Sequence, residues 1–153
     1  MNGIDEAAVT QDERTMATLV HVLQIVGWWI APLIIFLLKR DSKFVSFHAL
    51  QALLLQIVYL AMWMIFMVAW FALISGTVIS QSAGHSNAPP MALLVLMPLF
   101  WLAAMGSWMA LLVIGIVYGI KAGHGEWARY PLIGNRAARI LKIDLGPTAQ
   151  AGS

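Results

Sequence analysis

From Phe44 to Ile120 the chain carries no Asp, Glu, Lys or Arg. A water-soluble domain needs surface charge to stay solvated and monomeric, and cannot run that far without it. The run is too long for one membrane span and long enough for two, because about 20 apolar residues cross a hydrocarbon core of about 30 Å. Its one polar interruption lies between Ser80 and Pro90. The expected solvent is therefore lipid. In lipid every backbone polar group must be satisfied within the fold, so the expectation is an all-α integral membrane bundle.

Composition agrees with that class. The chain is 61% hydrophobic and 10% charged, against about 25% charged in a soluble domain. With 153 residues, a single bundle accounts for nearly all of the length. There is no cysteine, which excludes disulfides, thiolate metal sites and cysteine nucleophiles. Nucleic-acid binding is excluded too, since no basic stripe interleaved with aromatics occurs. Asp5, Glu6, Asp12 and Glu13 stand where a secretory signal needs a basic region.

Three apolar stretches follow a polar, acidic tail over residues 1–14, in which Asp12 and Thr15 give only a faint helix-start signal. They are residues 16–38, 50–79 and 91–120, the second entered through an amphipathic start at Phe44–Leu55. Three spans in one domain, residues 15–134, are expected. A short amphipathic segment and a tail occupy 135–153. The first stretch has an alternative form, because Gly27 and Pro32 bracket Trp28 and Trp29. Trp is not enriched at mid-membrane, so the alternative is a re-entrant hairpin broken at Gly27–Pro32.

Basic residues set the orientation. Lys39, Arg40 and Lys43 follow the first stretch, and Lys121, Arg129, Arg136, Arg139 and Lys142 follow the third; the Ser80–Pro90 turn carries none. Both basic regions are expected on the cytoplasmic side and the turn outside.

Polar residues in or near the apolar stretches are few. Gly115, Gly119 and Gly123 form a doubled G-x-x-x-G, which lets another helix approach closely. It reads either as a seam for a partner or second copy, or as packing against the chain's own first or second stretch. His21 and Gln24 lie on the first stretch; His48, Gln51 and Gln56 form a polar row on the second. Paired histidines raise a haem-ligand reading, or a haem- or quinone-associated redox subunit. On a continuous first span, however, His21 stands roughly 27 Å of helix rise from the loop that leads to His48. His124 is then the nearer partner for His48. No bound cofactor or metal site is expected. Catalytic motifs and intramembrane carboxylates are both missing, which argues against an enzyme or a pump.

The segment ERTMATLVHVLQIVGWWIAPLIIFLLKRDSKFVSFHALQALLLQ, a hydrophobic middle and IKAGHGEWARYPLIG together resemble a family. It is the bacterial membrane protein family called domain of unknown function 4870, distantly likened to the twenty-kilodalton subunit of the chloroplast inner-envelope translocon. The resemblance rests on His21; on Ala31 and Pro32 through Lys39, Arg40 and Asp41 to His48, Gln51 and Ala52; and on Gly125, Glu126, Arg129, Tyr130, Pro131 and Leu132. It implies a compact helical bundle in a bacterial inner membrane with no known activity. Lys39, Arg40, Asp41, His48, Gln51, Glu126, Arg129 and Tyr130 would gather on one cytoplasmic face. That cluster would dock a partner protein or anionic lipid head groups. The expected role is a non-enzymatic accessory or scaffold subunit that meets lipids and other membrane subunits, or itself. The likeness also raises a transport or protein-translocation component.

Overall fold

In the computed structural model, residues 9–84, 91–131 and 133–143 are described, and among them the secondary structure is entirely helical. The helices are α1 (Gln11–Gly27), α2 (Ile30–Leu38), α3 (Lys43–Ser82), α4 (Met91–Gly123) and α5 (Gly134–Ile140). Two of them, α3 and α4, are long and apolar enough to cross a membrane. The expected second and third stretches thus appear as helices that overrun their predicted ends. Residues 1–8, most of the turn with His85, Leu132 and the tail from 144 lie outside the described residues.

The expected continuous helix over 16–38 does not form. Trp28 takes φ 51° and ψ −138° and closes α1, and α2 opens two residues later. A non-glycine residue at positive φ costs on the order of 1–3 kcal/mol. Pro32 sits in the first turn of α2, where its missing N–H costs no helical bond. The polar tail also ends earlier than expected. Thr10 caps α1 through Glu13 N–H at 3.3 Å, and the Glu13 carboxylate accepts from Thr10 N–H at 2.9 Å. That reciprocal pair is the T-x-x-E capping box, so the start signal is Thr10–Glu13 and not Asp12 with Thr15.

The chain divides into two compact units. The first comprises residues 1–57 and 111–153, so it holds α1, α2, the start of α3, the end of α4 and α5. Its core is small and specific. Ala17, Phe44 and Ala122 meet in one cluster, and Val20, Ala49 and Ala52 in another. α5 lays Ala137 and Ala138 against Phe47 and Leu50, with Trp127 alongside. The Trp127 indole stands nearly perpendicular to Phe44 at 5.1 Å. α4 stops at Gly125, whose φ of 81° only glycine adopts freely. The Glu126 N–H reaches the Lys121 carbonyl at 3.0 Å and the Gly125 N–H reaches Ala122 at 2.9 Å, a Schellman ending.

The second unit, residues 58–110, is held by aromatic rings. Phe100 stacks on Phe66 at 5.3 Å with 11° between planes, and tilts against Trp70 at 4.6 Å. Such pairs contribute about 0.5–1.5 kcal/mol each beyond area burial. Phe100→Ala is therefore expected to destabilise the chain by about 1–3 kcal/mol, from two such pairs. Reversible unfolding in mixed detergent measures it, and Leu99→Ala, at a half-exposed neighbour, should cost less.

Candidate functional site

The polar residues of the first unit close around one another. On α1, His21 and Gln24 are a turn apart and both are buried; on α3, His48, Gln51 and Gln56 line the facing side. Tyr130 arrives from the loop after α4 and is buried as well. His21 Nε2 lies 3.1 Å from His48 Nδ1, and His21 Nδ1 lies 2.8 Å from the Tyr130 hydroxyl. His48 Nε2 lies 3.1 Å from the Glu126 carbonyl.

That carbonyl settles the direction of the whole chain for neutral imidazoles. A carbonyl only accepts, so His48 Nε2 carries the proton and His48 Nδ1 is left to accept. His21 Nε2–H then donates to it, and His21 Nδ1 accepts from the Tyr130 O–H. The Tyr130 oxygen in turn takes the Gln24 amide N–H at 3.4 Å. Every ring nitrogen is thereby committed. Burial disfavours the charged phenolate, so the Tyr130 hydroxyl is held well above its ordinary pKa and stays a donor.

Glutamines finish the job on backbone. Gln51 donates to the Ala128 carbonyl at 3.1 Å and accepts from Tyr130 N–H at 2.7 Å, clamping that loop with both ends of one amide. Gln56 Nε2 donates at 3.2 Å to the Gln24 carbonyl, one of the last four of α1, which has no helical partner. Tyr118 adds a hydroxyl to the Arg129 carbonyl at 2.9 Å. Gln24 Oε1 is buried without a hydrogen-bond partner.

The histidines correct the sequence reading. His21 and His48 were expected far apart, and they are in contact because α1 does not continue through the membrane as one rod. His48 is satisfied by Glu126, while His124 is exposed at the end of an open groove. A bis-histidine haem does not fit this arrangement. Iron between two imidazoles holds their nitrogens two metal–nitrogen bonds apart, each about 2.0–2.1 Å, and takes a lone pair from both. Here the nitrogens share a proton at 3.1 Å. Among the described residues no group of three or more His, Cys, Asp or Glu is placed to hold a metal ion.

The three glycines face α1. A Cβ at Gly115 would stand 3.1 Å from Gln24 Nε2 and 3.3 Å from the His21 carbonyl; at Gly119, 3.4 Å from His21 Cβ; at Gly123, 3.1 Å from Thr18 Oγ1. The seam is thus packed within the chain. Beside it runs an open groove of about 450 Å³ between α1 and α4. Gly134 is tighter still, since a Cβ there would meet Arg129 Cβ at 2.5 Å and Gln51 Oε1 at 2.8 Å.

The eight residues expected on one face separate into two levels. Lys39, Arg40, Asp41, Glu126 and Arg129 reach the surface to differing degrees, whereas His48, Gln51 and Tyr130 are buried. Sequence reasoning missed Ser42, which ties the first turn of α1 to the start of α3. Its Oγ donates to Glu13 at 2.7 Å and accepts Val45 N–H at 3.2 Å, capping α3. Asp12 adds an exposed ion pair with Lys39 at 3.3 Å, worth at most about 1 kcal/mol. The Ser42 hydroxyl, then the Thr10 N–H, hold the Glu13 carboxyl below its ordinary pKa.

Three outcomes follow from this geometry. Tyr130→Phe leaves a buried acceptor on His21 and should cost about 1–3 kcal/mol. Gly134→Ala should cost about 1–3 kcal/mol through forced movement of Arg129 and Gln51, while Gly119→Ala is expected to be milder; thermal melts in detergent rank them. A depressed carboxylate stabilises the fold at pH values above its unfolded pKa, and loses that contribution as pH falls through the folded value. Ser42→Ala should therefore raise the Glu13 pKa toward its ordinary value, lower stability at neutral pH, and shrink the stability lost as pH falls below the unfolded value. Carbon-13 titration of the carboxyl checks both signs.

The chain belongs to the magnetosome magnetite crystal formation protein family (MamF/MmsF), whose family model matches residues 12–137. The match runs from the first turn of α1 to α5 and includes every residue of the buried network. It overturns the resemblance to domain of unknown function 4870 and to the chloroplast translocon subunit. Of the residues on which that resemblance rested, His21, His48, Gln51 and Tyr130 are buried together, while Arg40, Asp41 and Glu126 are exposed. No curated protein and no solved structure matches the chain.

Proposed function

We propose that, as a member of the magnetosome magnetite crystal formation family, this chain is a non-enzymatic membrane subunit that supports crystal formation by organising other membrane components. The observation that carries this reading is the buried His21–His48–Tyr130 network. Its ring nitrogens are all committed to hydrogen bonds inside the fold, which suits a structural keystone rather than a reaction centre. What remains on the surface above it is the polar set Lys39, Arg40, Asp41, Glu126 and Arg129.

This face is the proposed docking site for partner subunits or a second copy, with anionic lipid head groups beside the basic residues. The charge distribution supports a multi-pass inner-membrane protein with residues 39–43 and the C-terminal basic segment cytoplasmic and the Ser80–Pro90 turn outside. The translocation reading loses its basis together with the resemblance that suggested it. The paired-histidine form of the redox reading finds both His21 and His48 with every ring nitrogen engaged inside the fold.

The test is charge reversal at the surface level alone, Lys39→Glu with Arg40→Glu, in magnetite-forming cells. Neither side chain enters the buried network, so the fold is expected to survive. Loss of a docking contact worth about 1.4 kcal/mol lowers partner occupancy about tenfold. Crystal size or number in electron micrographs should change, together with reduced crosslinking to neighbouring membrane subunits. Unchanged crystals and unchanged crosslinking in a folded double variant overturn the docking face.

A further inference from the structure

The α1–α2 pair shares its two polar ends. Asp12 and Glu13, in the first turn of α1, contact Lys39 and Ser42, which follow α2. An element whose ends are bonded to each other enters and leaves the membrane on one face. Depth follows from register along α4. α1 runs antiparallel to it, with Thr18 against Gly123 and Gln24 against Gly115. Gly115 stands about 9 Å of helix rise above Lys121, and Trp28 lies about 6 Å beyond Gln24. The return arm agrees, for the nine residues of α2 rise about 13 Å. Both arms reach about the half-depth of a hydrocarbon core of about 30 Å.

Two further features belong to an element that turns inside lipid. Irregular backbone at that depth is tolerated only where it is kept short or satisfied by protein. The turn here is two residues, Trp28 and Trp29, and Gln56 reaches from α3 to satisfy the Gln24 carbonyl at the end of α1. In addition α2, IAPLIIFLL, has no polar side chain, and Val26, Ile30, Ile34, Leu37 and Leu38 are exposed, Val26 by 85%. Arg40 and Lys43, both exposed, stand where this apolar face meets the head-group level, a charge pattern complementary to anionic lipid.

We propose that the α1–α2 hairpin is a half-bilayer wedge: it is inserted from the face that carries Lys39–Lys43, turns at Trp28–Trp29 near the bilayer midplane, and is covered by acyl chains of that one leaflet. Volume added to one leaflet only favours curvature with that leaflet outermost, as one-sided helix insertion does. The hairpin therefore gives the chain a preference for strongly curved membrane.

The chain lacks cysteine, so single labels report cleanly. Gln11→Cys and Asp41→Cys, in vesicles of defined orientation, should react with an impermeant maleimide from the same side. A spin label at Val26→Cys should collide with oxygen more than with a water-soluble nickel chelate, with no dipolar broadening between copies. In anionic phosphatidylglycerol–phosphatidylethanolamine vesicles, density per membrane area should be at least about twofold higher in the smallest vesicles than in the largest. Labelling of residues 11 and 41 from opposite sides restores a full span and overturns the proposal. So does an aqueous Val26 label, which places the hairpin flat at the interface. Dipolar broadening at Val26 assigns the face to a second copy instead of lipid, and curvature-independent density removes the wedge. These measurements keep Lys39 and Arg40, so the wedge can fail while the docking face stands; repeating the curvature assay on the charge-reversed chain, which also loses the Lys39–Asp12 pair, separates a docking defect from a displaced hairpin.

Discussion

One proton shared between His21 and His48 ties the first helix to the third, and the remaining polar architecture is arranged around it. With both rings buried, each nitrogen needs a partner, because an unsatisfied buried polar atom costs about 1–3 kcal/mol. His48 finds the Glu126 carbonyl, and His21 finds the Tyr130 hydroxyl. Those two needs bring the loop after α4 onto the helices. Gln51 then clamps the same loop by its backbone, and Gly134 clears the space beneath Arg129 that this closeness requires. The glycines of α4 serve the same end, since each bears on the α1 segment that carries His21 and Gln24.

That arrangement explains how a chain with so little charge keeps a defined tertiary structure in lipid. Apolar side chains do not discriminate strongly between lipid tails and one another, so association in a bilayer depends on close packing and interhelical hydrogen bonds. The first unit uses both, with glycine against helix and amide or imidazole against backbone. The second unit uses stacked rings around Phe100. Membership of the magnetite crystal formation family places this construction in a mineral-forming setting.

The sequence was legible wherever a local rule applied. Lack of charge from Phe44 to Ile120 announced two apolar helices, and Gly115, Gly119 and Gly123 announced a close contact. The T-x-x-E at Thr10–Glu13 is an equally local signal. The network was only half legible. His21, Gln24, His48, Gln51 and Gln56 stand out as polar residues in apolar surroundings and Tyr130 as one of a cytoplasmic-face cluster, but their pairing depends on where α1 ends. Tyr118, Ser42 and Gly134 carried no signal, since their roles exist only against residues distant in the chain.

What the sequence determined by itself was the solvent and the helical class, because both follow from hydropathy and from the need to satisfy backbone in lipid. It also nominated the break at Gly27–Pro32 without choosing it. Only the tertiary structure made that choice. A turn at Trp28 returns the chain toward α3, with His21 and Gln24 against His48, Tyr130 and Gln56. The strain of one residue at positive φ is offset by several buried hydrogen bonds, and such a balance is not written in any local stretch of sequence.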